Sequence, residues 1–260
     1  MAQAQTIQPA DNLKKLALKA DRMVVGVLLL GALAAIALSA IHGPALSGSA
    51  IACAIFAAGV LAWRIAPGSV FSRISLAVLG MWMVALHIQL STGLTELHFG
   101  VFVFLAFLLV YRDWRPIVAA AATIAVHHIL FDRLQALGWP VFCMTTPNFG
   151  LVLVHAAFVI MQTAVEIVMA TGMRADTIES QELHTLCQPT AQGQLNLEVQ
   201  AVAVSSPSAI AVRDAFLQLE QLVSQARNTA DVVLQSTADI AGSNQHLQSS
   251  TAETSSQLQA

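Results

Sequence analysis

Charge is almost missing from the middle of this chain, and that restricts its possible folds more than any other feature. Between Met23 and Ala170 the charged residues are Arg64, Arg73, Glu96, Arg112, Asp113, Arg115, Asp132, Arg133 and Glu166. A soluble domain carries about 25% charged residues. The whole chain has 10%, with 56% hydrophobic residues and a mean hydropathy of +0.68. Such a stretch suits a lipid bilayer rather than a core bathed in water. After Met173 the chain turns polar, rich in Gln, Ser, Thr and Ala. The expected fold is all-α, a polytopic membrane bundle joined to a soluble helical tail. A net charge of −3 offers no basic surface for nucleic acid, and no such partner is expected.

Six apolar runs can be marked, roughly 23–41, 46–65, 72–90, 98–111, 115–131 and 149–170. Crossing the hydrocarbon takes about 20 apolar residues and at least about 17. The fourth run is short by that measure and the fifth is at the limit, so both must borrow length or lie where the bilayer thins. The first run follows a polar lead and has no small-residue cleavage pattern, so it does not read as a signal peptide. Lys14, Lys15, Lys19, Arg22, Arg64, Arg73, Arg112, Arg115 and Arg174 fall on one side of a six-span topology, and only Arg133 falls on the other. The positive-inside rule then puts both termini in the cytoplasm of a bacterial inner membrane. The lead, 1–22, spaces Leu13, Leu16, Ala17 and Ala20 helically between lysines, as expected of a basic amphipathic helix lying on lipid headgroups.

Histidine is the residue type that suggests chemistry. His87, His98, His127, His128 and His155 come from four different runs, and the topology brings all five to the outer half of the bundle. Glu96 lies two residues before His98, and Asp132 lies one helical turn after His128. Ionisable groups at that depth are costly, so they face the interior and pair with something. Imidazoles suit copper, zinc or iron, and Glu96 or Asp132 can add a carboxylate ligand or orient a ligating ring. A b-type haem between two imidazoles is the alternative, since Ala119 to Ala122 and Ala125 leave space beside the fifth run. A buried, protonation-sensitive polar network is a third. His127 and His128 differ by about 100° around the helix, and Asp132 favours His128 as the one that points inward. His42, beside Gly43 and Pro44, reads as a loop residue.

In the sixth run His155, Gln162 and Glu166 share a helical stripe that links the outer histidines to the cytoplasmic end. Cys53, Cys143 and Cys187 fall in three different compartments, so no intrachain disulfide is expected. Cys143 with Met144 reads as a loop dipeptide or a soft outward ligand pair.

The stretch 174–206 is broken by Pro189 and Gly193, with Pro207 just after it. From Val212 a heptad runs through Phe216, Leu219, Val223, Ala226, Ala230, Val233 and Thr237 to Leu258. This is coiled-coil spacing and argues for at least a homodimer. The seam turns small and polar from Thr237 onward, as in a helix awaiting further partner helices.

Two stretches resemble known families. Ala238-Asp239-Ile240-Ala241-Gly242-Ser243-Asn244-Gln245-His246-Leu247-Gln248-Ser249-Ser250-Thr251, with Glu253 following, resembles the start of the signalling bundle of methyl-accepting chemotaxis proteins. Gly193 to Val199 is similar to the second half of a HAMP-type connector. His87, then Gly93-Leu94-Thr95-Glu96-Leu97-His98-Phe99, Tyr111-Arg112-Asp113-Trp114 and His127-His128, is similar to a six-span His-rich sensor region. Such regions precede chemoreceptor, diguanylate cyclase and histidine kinase outputs. The resemblance implies a six-span sensor over 23–170, a HAMP-like connector over 171–208 and the start of a chemoreceptor coil over 209–260. It also implies that the kinase and coupling protein dock on a receptor tip beyond this stretch.

The expected function is a non-enzymatic transducer for chemotaxis. A metal ion, haem-bound ligand or redox or proton change at His87, His98, His128 and His155 would move the sixth span, with Glu96, His127 and Asp132 as further ligand candidates. The rival is an intramembrane metalloenzyme, an oxidoreductase or hydrolase. That rival lacks a His-Glu-x-x-His helix and has no use for a long coil.

Overall fold

The computed structural model describes residues 9–42, 45–191 and 202–258, and all their regular elements are helical. The first helix, α1, runs unbroken over Pro9–His42. Its buried residues Ala17, Ala20, Asp21, Val24, Leu28, Ala32, Ala35 and Ser39 recur at steps of three and four, which makes one stripe. In lipid, helices associate by close packing more than by escape from water, and small residues permit that approach. α2 (Ala45–Ile65) and α3 (Val70–Leu90) pack against α1 and against each other. The basic lead expected over 1–22 is described from Pro9 onward. Its described part is the opening of α1, with Ala17, Ala20 and Asp21 buried in the bundle while Lys14, Lys15, Lys19 and Arg22 stay exposed.

α3 is the central helix. It packs on α1, on α2 and on α5 (Trp114–Ala136), and Leu76, Met81 and Ile88 along it are fully buried. A Cβ at Gly80 would lie 2.0 Å from Phe104 Cζ, so only glycine allows α3 to meet α4 (Phe99–Phe107) there.

The fourth apolar run solves its shortness by winding. α4 has nine α-helical residues, flanked by four 3₁₀ residues at Thr95–His98 and four at Leu108–Tyr111. At about 2.0 Å per 3₁₀ residue and 1.5 Å per α residue, the composite is about 30 Å long. That is about the hydrocarbon thickness. Among the described residues, five helices are long and apolar enough to cross a membrane: α1, α2, α3, α5 and α6 (Phe149–Ala191). Length and composition thus mark a membrane protein.

The close helix pairs are α1–α2, α1–α3, α2–α3 and α3–α5, and α6 is in none of them. α6 touches the bundle through individual side chains instead. Ala170 is fully buried in the main core, Val159 packs against that core, and Gln162 Nε2–H donates to the Phe102 carbonyl (3.3 Å).

The chain divides into two units, Met1–Ile178 and Glu179–Ala260. In the second, Glu182 accepts four hydrogen bonds of 2.6–2.9 Å, from the N–H and O–H groups of Ser205 and Ser206. Ser206 precedes α7 (Pro207–Gln257), whose first position is a proline preset for helical φ. Leu186 and Ala209 form a small core there with Leu183, Val202, Val204, Val212 and Phe216. Beyond Gln218 α7 is exposed on every side, including the heptad residues Leu219, Val223, Val233, Ile240 and Leu247. Pro189 does not end α6, which continues to Ala191. The stretch Gly193–Val199, on which the HAMP-type resemblance rests, lies outside the described residues.

Candidate functional site

Four of the five histidines singled out in the apolar runs form one cluster. His98 ends the 3₁₀ turn before α4, His127 and His128 lie two-thirds of the way along α5, and His155 lies in the second turn of α6. Ring centres are 5.4 Å apart for His98–His128, 5.6 Å for His98–His155, 6.4 Å for His128–His155 and 5.3 Å for His127–His128. His98, His127 and His128 are buried, and His155 is half-buried.

The backbone sets the tautomers. His128 Nδ1–H donates to the Ile124 carbonyl (3.0 Å) and His155 Nδ1–H to the Leu151 carbonyl (2.9 Å), each one helical turn back. Both rings therefore keep the lone pair on Nε2, the arrangement that a ligating histidine needs. His98 is engaged differently. Its Nδ1 lies 3.0 Å from the Leu94 carbonyl and its Nε2 lies 2.9 Å from the Cys143 carbonyl. A neutral imidazole has one N–H, so it can donate to only one of these oxygens. Among the described residues, no group of three or more His, Cys, Asp or Glu side chains is placed to hold a metal ion.

His98, His128 and His155 line one end of a cavity of about 410 Å³ between α4, α5 and α6. Its walls are apolar, with Ala121, Ala122 and Ala125 on α5 facing Ala156 and Ala164 on α6. The alanine run seen in the sequence does leave space beside α5. Thr163 Oγ1 also lines this cavity, buried and without a hydrogen-bond partner.

The remaining candidates are engaged differently. His87 is on α3 but faces α1, where its Nε2 is 2.8 Å from the Gly31 carbonyl, and it has no ring contact with the cluster. His127 turns towards α3, edge-on to Trp82 at 6.2 Å and tilted against Phe131 at 4.1 Å. Its Nε2 is buried without a partner. Glu96 is exposed, with no ion pair among the described residues. Asp132 is fully buried, but it accepts from Asn148 N–H (2.8 Å) and pairs with Arg133. It fastens the start of α6 rather than orienting His128. His42 is the last residue of α1.

The loop between α5 and α6 covers the cluster, and the sequence reading missed what holds it. Gln135 Oε1 accepts from Cys143 N–H (3.0 Å), while its Nε2–H donates to the Met144 carbonyl (2.7 Å). Gln89 Oε1 accepts from Phe142 N–H (2.8 Å). Gly93, at φ +82°, lies so close to the loop that a Cβ would be 2.2 Å from the Met144 carbonyl carbon. A glutamine one turn before a loop was the available signal for such a clamp. Cys143 is fully buried, and burial, with the charge of Asp132 adding to it, pushes its thiol up to about 12. It is a weak soft-metal ligand in this setting, because the thiolate is the ligating form. Cys53, Cys143 and Cys187 form no disulfide among the described residues.

A second polar network lies at the opposite end of the bundle. Asp21 on α1 is fully buried and accepts from Gly68 N–H (2.7 Å), Ser72 O–H (2.9 Å) and Tyr111 O–H (3.0 Å). Beside it Arg73 pairs with Asp113 at 2.8 Å, and Arg112 donates to Thr177. Compared with protein-family models, curated proteins and solved structures, the chain matches none of them.

Proposed function

We propose that this chain is a membrane sensor and transducer of the chemoreceptor type, with His98, His128 and His155 as its ligand site and α6 as its output helix. The supporting observation is the convergence of three imidazoles from three helices at the mouth of one cavity. Rings sharing a tetrahedral ion have centres roughly 5 Å apart, and the three separations here are 5.4, 5.6 and 6.4 Å. With Asp132 engaged by Asn148 and Arg133 and Glu96 exposed, the donor set is imidazole alone, which suits copper, zinc or iron.

Binding begins with His128 and His155, whose Nε2 lone pairs are free. Capture of His98 Nε2 then breaks its contact with the Cys143 carbonyl, so the ligand competes with the covering loop for one nitrogen. That competition is the two-state element a transducer needs, because ligand and loop favour different positions of His98 and α6. A b-type haem is a second reading, favoured by the alanine-lined space beside the imidazoles.

In this account the bundle crosses the bacterial inner membrane six times, with the composite around α4 as the fourth span. The histidine end faces outward and both termini face the cytoplasm. The tail is a HAMP-like connector leading to a homodimeric coil, and the exposed heptad residues of α7 support that pairing. Kinase and coupling protein would act through a longer receptor. Metal analysis and an absorption spectrum of the detergent-purified chain test this reading. A bound transition metal or a Soret band, lost in His128→Ala/His155→Ala, is expected. A metal-free, colourless wild type that takes up neither added metal nor haem would contradict it.

A further inference from the structure

The opposite end of the bundle holds a second recess, unrelated to histidine. A cavity of about 180 Å³ is lined by Arg73 of α3, Asp113 and its neighbours Trp114 and Arg115 at the start of α5, and Arg174 of α6. It is too small for a drug-sized ligand, which takes about 300 Å³ or more. A tetrahedral oxyanion fits.

The charges do not cancel. Each nitrogen of Arg73 is engaged, with Nη1–H on Asp113 (2.8 Å), Nε–H on the Ser69 carbonyl (3.2 Å) and Nη2–H on the Gly68 carbonyl (3.3 Å). The second Asp113 oxygen accepts from Arg115 N–H (3.1 Å). The carboxylate is therefore spent on internal donors, and Arg73 is fixed as the floor of the recess. Arg115 and Arg174 are exposed, and neither guanidinium has an acceptor among the described residues. Arg115 Cζ lies 6.0 Å from the Trp114 ring centre, and tryptophan is enriched at headgroup depth. Two uncommitted guanidiniums from different helices, over a third already pinned, make a fork for phosphate oxygens.

We infer that this recess binds a phosphate group, and that it ties the inner end of α6 to α3 and α5. Basic pockets between spans on the cytoplasmic side take anionic lipid headgroups, and inorganic phosphate shares the same chemistry. The inference rests on the membrane reading but not on the identity of the outer ligand.

The test titrates the 260-residue chain in detergent with dioleoylphosphatidylglycerol, with zwitterionic dioleoylphosphatidylcholine and with sodium phosphate, following retention by native mass spectrometry. Phosphatidylglycerol should bind well above phosphatidylcholine. Arg115→Gln/Arg174→Gln should weaken it about thirtyfold, at about fivefold per arginine. Arg115→Lys/Arg174→Lys, which keeps the charge, should retain most of the affinity and so separates a lost site from a damaged fold. Competition by phosphatidylglycerol alone identifies a lipid site, and equal competition by free phosphate identifies a phosphate site; either sustains the inference. Equal retention of the two lipids by wild type, or undiminished phosphatidylglycerol binding by the Gln variant, overturns it. Metal binding at the histidines should be unchanged in the Gln variant, so failure here leaves that proposal standing, and the reverse also holds.

Discussion

The two polar clusters of this bundle are built on opposite plans. Around Asp21 every donor has been drawn onto one carboxylate: a backbone N–H, a serine hydroxyl and a tyrosine hydroxyl, from the turn before α3, α3 itself and the end of the fourth apolar run. Around His128 polar atoms remain uncommitted, with Nε2 free on His128 and His155 and no partner for His127 Nε2 or Thr163 Oγ1. A buried polar group without a partner costs about 1–3 kcal/mol. A closed network returns that cost as rigidity, whereas an open one sacrifices stability and keeps the capacity to bind. Asp21 thus serves as an anchor, while the proposed histidine site holds the polar atoms that are left unspent.

The largest effect should come from the closed cluster. Asp21→Ala strands three buried donors, and we expect a loss of about 3 kcal/mol or more, or roughly 10 °C in the thermal midpoint. His128→Ala should cost less, about 1 kcal/mol, because the Ile124 carbonyl keeps its helical backbone N–H and only His127 Nδ1 loses a side-chain neighbour. Thermal unfolding of both variants in one detergent checks the contrast, and equal losses would erase it. Next comes Gly93→Ala, which adds a left-handed backbone penalty to the clash with Met144. A loss of about 2 kcal/mol is expected in the same assay.

Smaller effects concern the loop over the histidines. With its thiol pushed up to about 12, Cys143 is about one part in ten thousand thiolate at pH 8. Its alkylation should lag far behind that of exposed Cys187 and rise with pH until the thiol itself titrates. Gln135→Ala removes the clamp on Cys143 and Met144 and should speed labelling about tenfold, as a local opening made about 1.4 kcal/mol easier. Saturating metal, by taking His98 Nε2 from the Cys143 carbonyl, should speed it only a few-fold. Labelling that slows on metal addition would reverse the proposed competition.

Much of this was legible in the sequence because lipid leaves so few options. The charge gap from Met23 to Ala170 dictated apolar helices, and alternation of loop charge marked the histidine end. His98, His128 and His155 did converge, since their levels follow from helical rise alone. What failed depends on rotation and on partner choice, which spacing does not encode. His87 has the right depth but faces α1. Asp132 has the right spacing from His128, yet the unsatisfied N–H groups before α6 claim it first. Asp21 carries no signal among the lysines of the lead, and only the return of Gly68, Ser72 and Tyr111 from distant parts of the chain engages it. The shortness of the fourth run was visible, but its 3₁₀ ends were not.

Cobalt(II) titration of the detergent-purified chain, followed by its ligand-field absorption, addresses the imidazole site itself. Wild type should take up one ion per chain with an intense tetrahedral-type spectrum. His98→Ala, His128→Ala and His155→Ala should each weaken it about tenfold or more, while His87→Ala and His127→Ala should leave it unchanged. Uptake indifferent to all three, or dependent on His87 instead, would contradict the account.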